Sequence, residues 1–171
     1  MRPLPRGWEP AQLGNVVQLK TGPFGSALHQ SDYVLGGTPL INPTHIQGGR
    51  LAPDPSISTS SKKASGLKEY KLATGDVVMA RRGEMGRCAV VPQAAEGWLC
   101  GTGSVIVRPS PAVLPAFLQR FLSAPVTVAA LVGDSVGSTM VNLNQKILLS
   151  LPFGLPPVAE QNRIADKLDT V

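Results

Sequence analysis

The chain has 171 residues, enough for one well-buried core and too few for two, so a single domain with an appendage is expected. Its 43% hydrophobic and 16% charged content is that of an ordinary folded protein, and 18 Gly with 16 Pro predict many turns and irregular connections. A net charge of +5 suits a polyanionic partner without deciding for one, and no run reaches the roughly twenty apolar residues of a membrane span.

Residues 8–13 leave room for a short helical turn, and residues 16–20 alternate apolar and polar side chains as a half-buried strand does. Gly22, Pro23 and Gly25 then break the chain, so residues 21–33 read as a loop carrying Phe24, His29 and Tyr33. A short strand resumes at 39–42, and residues 53–61 read as an exposed connection. Residues 76–80 and 88–91 are apolar runs of strand length joined by Arg81-Arg82-Gly83-Glu84-Met85-Gly86-Arg87, a hairpin with a basic tip. A further strand is expected at 104–107, after Gly101-Thr102-Gly103.

The pattern then turns helical. Leu114, Phe117, Leu118, Phe121 and Leu122 recur at spacings of three and four, with Pro115 tolerable in a first turn and Pro125 ending the run. A second short helix is expected at 126–131, stopping at Gly133. Asn142 followed by Gln145 imitates a capping box opening a helix through Leu149, with a last strand at 151–155. Pro156-Pro157 leads a terminal helix on which Ile164, Leu168 and Val171 share a face. That face suggests docking onto another chain or onto further sequence, against the plainer alternative of packing on its own domain.

Cys88 and Cys100 are too far apart for a CxxC pair, and His29 and His45 fall in no metal-ligand spacing, so neither a disulfide framework nor a metal site is expected. Two reduced, buried thiols and a start without a signal-peptide core predict a soluble, cytoplasmic protein.

Several of these segments together resemble the target recognition domain of type I restriction-modification specificity subunits. The matching pieces are Leu13-Gly14, Gly22-Pro23-Phe24-Gly25-Ser26, Gly37-Thr38-Pro39-Leu40-Ile41, Tyr70-Lys71-Leu72 with Gly75-Asp76-Val77-Val78, and Gly83 with Gly86. They continue in Gly137-Ser138-Thr139 with Asn142-Leu143, and Leu155-Pro156-Pro157 with Glu160-Gln161 and Arg163-Ile164. Each fragment is weak alone; in this order over nearly the whole chain they are strong. The resemblance implies a mixed α/β fold of twisted, mostly antiparallel strands, a small helical subdomain near 112–149 and a C-terminal helix. It divides the chain into a recognition domain at 1–155 and the start of a spacer and assembly helix at 156–171.

The role it implies is recognition of double-stranded DNA without catalysis. Two such domains each read half of a split site, while a modification (methyltransferase) subunit, which would carry S-adenosylmethionine, and a restriction subunit do the chemistry. This chain holds one recognition domain, so it is either a fragment or a half-length subunit that pairs with itself. DNA binding needs cations for phosphates and planar or longer donors for base edges. The candidates are Lys20, Lys62, Lys63, Lys68, Arg81, Arg82 and Arg87, with Phe24, Ser26, His29 and Asn42 beside them, on loops 21–33, 60–68 and 81–87. The assembly candidates are Ile164, Leu168 and Val171.

Against this stand plain surface charge for Lys62-Lys63 and for the hairpin arginines, and a capping role for His29. An enzyme is the competing class, because Asp54 followed by Glu69-Tyr70-Lys71 imitates a magnesium-dependent nuclease, although Asp54 lies between two prolines. A methyltransferase does not fit, since Gly101-Thr102-Gly103 leads into a strand and not into a helix whose N-terminus could hold a cofactor. A protein-binding module is the third class, separable from DNA binding by its indifference to salt.

Overall fold

The computed structural model describes residues 3–23, 25–133 and 142–170. Its strands are β1 (Glu9–Gln12), β2 (Val17–Thr21), β3 (Tyr33–Val34), β4 (Thr38–Ile41), β5 (Ile46–Gln47), β6 (Arg50–Leu51), β7 (Ser58–Thr59), β8 (Val77–Ala80), β9 (Cys88–Val90), β10 (Leu99–Cys100), β11 (Ser104–Pro109) and β12 (Pro152–Leu155). The helices are α1 (Ser61–Gly66), α2 (Pro115–Ser123), α3 (Pro125–Val132), α4 (Gln145–Ser150) and α5 (Val158–Asp169). Phe24 and Val171 lie outside the described residues, as does Gly137-Ser138-Thr139.

Strands β2-β11-β8-β9 form an antiparallel sheet, and β10-β4-β7-β3 form a second one in which β10 and β4 run parallel. The middle strands of the first sheet carry continuous apolar runs, Val77–Ala80 in β8 and residues 105–107 in β11, because both faces are covered there. Val77 and Met79 of β8, with Val105 and Val107 of β11, face a core completed by Phe117, Leu118 and Leu122 of α2 and Leu148 of α4. Val78, Ala89 and Ile106 face the opposite way, against Ile41, Ile46, Leu72 and Cys100. The hairpin expected from the sequence is β8 and β9, paired from Val77↔Val90 to Met79↔Cys88.

Three local expectations give way to tertiary pairing. Residues 8–13 are not a helical turn: β1 pairs antiparallel with β12, from Glu9↔Leu155 to Gln12↔Pro152, and a single 3-10 turn follows at Leu13–Asn15. The stretch at 53–61 is not an exposed connection throughout, because β7 is buried between β3 and β4 and the Ser58 hydroxyl donates to the Val34 and Pro55 carbonyls. The cap of α4 is Asn144, whose Oδ1 accepts from the Lys146 and Ile147 amides at 3.0 and 3.3 Å, while Asn142 bridges to Arg82. In each case the long-range partner is what the local pattern could not show.

The helical part matches its expected limits closely, with Pro115 opening α2, Pro125 opening α3, and Gly133 ending α3 at φ +50°. No single described helix is long and apolar enough to cross a membrane, and the α2–α3 pair, bent by 59°, has its apolar side on the sheet. α5 packs on α2 through buried Gln161 and Ala165. Gln161 is fully engaged: its Oε1 accepts from the Leu114 amide at 2.8 Å, and its Nε2 donates to the Ala112 and Pro156 carbonyls at 2.9 Å. The first turns of this helix are therefore tied into the domain.

The aromatic centre of the core is Phe153, with ring centroids 5.8 Å from Phe117 and 4.8 Å from Phe121, both edge-on. Phe153→Ala removes both ring pairs and opens a cavity between α2 and the β1–β12 ribbon, so it should cost about 3–5 kcal/mol of stability. Urea unfolding followed by circular dichroism checks this; a loss under about 1 kcal/mol would mean the ring is not the keystone described.

Candidate nucleic-acid interface

Antiparallel pairing brings several loop roots to one end of the first sheet. Thr21 opposes Val105 and Ala80 opposes Ser104, so the ends of β2 and β8 meet the start of β11, and β9 begins beside them. The parallel β4–β10 pair delivers Ile41 and Cys100 to the same place, with the Gly101 amide donating to the Ile41 carbonyl. The segments after Thr21, Ile41, Ala80 and Cys100 are thus neighbours, although the sequence scatters them over eighty residues or so of chain.

The basic hairpin tip stands at this end, and its three arginines do different things. Arg81 is half-buried; its Nε donates to the Thr102 carbonyl at 2.8 Å, its amide donates to the Gly103 carbonyl, and its own carbonyl accepts from Leu143. Burial first, and then the charge of Arg82, lower its pKa from the usual guanidinium value. Arg87 pairs with Glu84 and donates through Nη1 to the Pro43 carbonyl at 3.3 Å. Arg82 is exposed and makes no ion pair among the described residues. Gly83 and Gly86 hold the positive φ values, +76° and +84°, that the tight connection needs.

Asn42 belongs to this group, half-buried at the corner after β4 with its amide donating to His45 Nδ1 at 3.1 Å. Ser26 is exposed on the 21–33 loop beyond β2. His29 lies farther along that loop and opens a 3-10 turn, its amide donating to Asp32 Oδ2 at 2.8 Å.

The lysines are placed separately. Lys20 projects from β2 and pairs with Glu69 at 2.6 Å, its ammonium 5.7 Å from the centre of the Tyr70 ring. That bond is the main reason the Glu69 carboxyl sits below its ordinary pKa. Lys63 of α1 pairs with Asp32 at 3.0 Å, whereas Lys62 and Lys68 are exposed. Among the described residues, no hydrogen bond or ion pair links these lysines to the arginine cluster.

Sequence reasoning missed two cations beside the cluster. A groove of about 530 Å³ lies next to the hairpin tip, lined by Gly48, Gly49, Glu84, Arg87, Gln119 and Arg120. Arg120 rises from α2 and pairs with Asp169 of α5, and Arg50 sits exposed on the β5–β6 hairpin whose Gly49 carbonyl accepts from Gln119 Nε2 at 3.0 Å. The only signal for Arg50 was its neighbouring Gly48-Gly49 turn; for Arg120 there was none, because helix position does not reveal what covers it.

The carboxylates of the nuclease-like pattern are engaged by other groups. Asp54 accepts from the Ser56 amide and hydroxyl at 2.8 and 2.7 Å, Glu69 is held by Lys20, and no group of three or more His, Cys, Asp or Glu among the described residues is arranged to hold a metal ion. What the arrangement offers is a set of fixed donors on an exposed edge, suited to phosphates and base edges.

A family model described as "Type I restriction modification DNA specificity domain" matches residues 5–171. Over 174 residues the chain is 26% identical to the EcoKI specificity subunit of Escherichia coli K12, covering 98% of this chain and 37% of that protein. It is 27% identical over 178 residues to the StySPI specificity subunit of Salmonella potsdam, again covering 98% of this chain and 37% of the relative. The chain thus spans little more than a third of the length of the curated relatives it matches. Among solved structures, the HsdS subunit from Thermoanaerobacter tengcongensis superposes with a TM-score of 0.69 at 25% identity, covering 99% of this chain and 38% of that one. A type I system S subunit from M. genitalium superposes at 0.62 and 18% identity, covering 99% and 40%, a likeness of fold.

Both cysteines lie under this edge: Cys88 beside the groove and Cys100 next to Gly101. Each is buried, and burial pushes each thiol up to about 12. Because the thiolate is the reactive form, neither should react with a colorimetric thiol reagent at about pH 8 while the protein is folded, and both should react once it is unfolded in guanidinium. Rapid labelling of the native protein would contradict the burial described.

Proposed function

The chain belongs to the type I restriction modification DNA specificity domain family, and from that premise we propose that it recognises a particular base sequence in double-stranded DNA. The observation that carries this is the convergence of the Asn42 corner and the Arg81–Arg87 turn on one exposed sheet end, with Arg82 unpaired among the described residues and Arg50 on a neighbouring hairpin. Exposed cations supply salt-sensitive affinity for phosphates, and arginine and asparagine match guanine and adenine edges in the major groove. Lys62 and Lys68, with Ser26 and His29, extend the cationic and polar surface along the flanking loops, and Phe24 is a further candidate by its sequence position alone; Lys20 and Lys63 join them with their charges already shared with carboxylates.

In this reading the chain is a specificity component with no catalytic centre. It acts in the cytoplasm and directs a modification subunit, which holds S-adenosylmethionine, and a restriction subunit. Residues 1–155 are the recognition domain, and the helix that begins after Pro157 docks companions. Ile164 packs against the chain's own core, so the docking contacts fall to the exposed Leu168 and Val158, together with Val171. A second recognition domain comes from a longer chain or from a second copy paired with this one; mass measurement of the purified assembly separates the two.

Selection from random duplex oligonucleotides, with and without a co-expressed methyltransferase subunit, tests the reading: enrichment of one sequence supports it, and salt-independent binding to protein alone opposes it. Arg82→Ala with Arg87→Ala should weaken binding to the selected duplex and flatten the dependence of log K on log salt by about 0.9 for each phosphate that is no longer neutralised. Unchanged affinity and slope would place the interface elsewhere.

A further inference from the structure

The Gly101-Thr102-Gly103 turn is held far more tightly than a connection between two strands requires. On one side a Cβ at Gly22 would collide with the Gly101 carbonyl, and on the other a Cβ at Gly101 would collide with Asn42 Oδ1 and the Ile41 carbonyl. Only glycine permits backbones to approach this closely. All three carbonyls of the turn accept hydrogen bonds, Gly101 from the Ser104 amide, Thr102 from Arg81 Nε and Gly103 from the Arg81 amide, while the Gly101 amide donates to Ile41 and the Gly22 amide to Ser104 beside it. Asn42, whose side chain closes one flank, is anchored in turn by the His45 ring, which is itself buried and lies 3.0 Å from the Leu40 carbonyl.

The result is an immobilised backbone with one side chain at its apex. Thr102 is half-buried, and its hydroxyl takes no hydrogen-bond partner among the described residues. It stands between the Asn42 corner and the Arg81–Arg82 end of β8. A side chain discriminates among bases only if its donor and acceptor are held within roughly half an ångström of the productive position. Such rigidity costs backbone entropy and has no evident purpose in a solvated loop.

The geometry points to this turn as a further DNA-reading element, with Thr102 contacting a base edge and Arg81 as the positioning residue that holds it. The inference rests on the DNA reading above and adds a specificity-determining residue to it. Threonine suits the task because its hydroxyl both donates and accepts, while its methyl group packs against the methyl of thymine. Arg81 then acts through the Thr102 carbonyl and not by touching DNA, unlike Arg82 one residue later. Two adjacent arginines of the same sequence context thereby take opposite roles.

The test compares wild type, Thr102→Ala, Arg81→Ala and the double variant, as the whole chain in complex with its methyltransferase subunit, by duplex selection and by titration of the selected and a scrambled duplex. Thr102→Ala should keep its melting temperature, lose about tenfold in affinity for the selected duplex, bind the scrambled one as wild type does, and relax the preference at one base position. Its salt slope should not change, because the same phosphates stay neutralised. Arg81→Ala should relax the same base position, and the double variant should lose no more discrimination than the worse single one, since coupled residues do not add. Should Arg81→Ala fail to fold, Thr102→Ala alone decides. If that variant selects the same sequence with the same affinity, or weakens every duplex equally, the turn reads nothing and the proposal falls. If wild type itself binds all duplexes alike, the DNA reading fails and this inference with it.

Discussion

The rest of the molecule depends on one constraint: β8 and β11 are buried on both faces. Helices α2 and α4 cover one side, and the β4–β10 pair with Ile46 and Leu72 covers the other. Because strand side chains alternate, a slip of one residue would exchange the two apolar sets without exposing either, so hydrophobicity alone would leave the register loose. The register is set where polarity returns. Asp76, immediately before β8, is almost wholly buried and receives Arg108 Nε and Nη2 at 2.7 Å and the Ala73 amide at 2.8 Å. Shifting β8 against β11 would separate the pair and strand a carboxylate in the protein, a far larger cost than a misplaced methyl group. At the far end of the same strands that register delivers Ala80 against Ser104, and so places Arg81 on the 101–103 turn.

The modest net charge of +5 is easier to understand once the cations are sorted by partner. Lys20, Lys63, Arg87, Arg108, Arg120 and Arg163 each lie against a carboxylate. Most of these pairs are exposed and contribute little to stability, since water screens them and ordering two long side chains offsets the attraction. Their effect is on the field: each paired charge is partly neutralised by its carboxylate, so the cations without one weigh more in the local potential. Electrostatic attraction then comes from position more than from total charge.

The terminal helix shows the same economy with a neutral group. Gln161 has no charge to neutralise, but it satisfies the Leu114 amide and two carbonyls at a corner where the chain turns from β11 into α2 and from β12 into α5. Buried backbone groups without partners are costly, so one amide side chain welds two distant corners. Arg120 and Asp169 add a second tie farther along the same pair of helices. The terminal helix is in this way rigidly referred to the sheet, one end of which presents the candidate DNA surface.

The amino-acid sequence by itself determined which stretches are apolar on one face or two, where proline and glycine break the chain, and the ordered fragments that mark the family. The β8–β9 hairpin, β11, the limits of α2 and α3 and the terminal helix follow from those short-range preferences. Partners distant in sequence were decided only in three dimensions. Glu9–Gln12 became a strand because β12 was there to receive it, and Ser58–Thr59 became buried because β3 and β4 flank it. The candidate site divides along the same line. Clustering alone marked Arg81, Arg82 and Arg87 as cations of one tip, but which of them faces inward depends on the carbonyls of Thr102 and Pro43, brought near by folding. No spacing rule carries that information, because a hydrogen bond between segments is a property of their meeting and not of either segment.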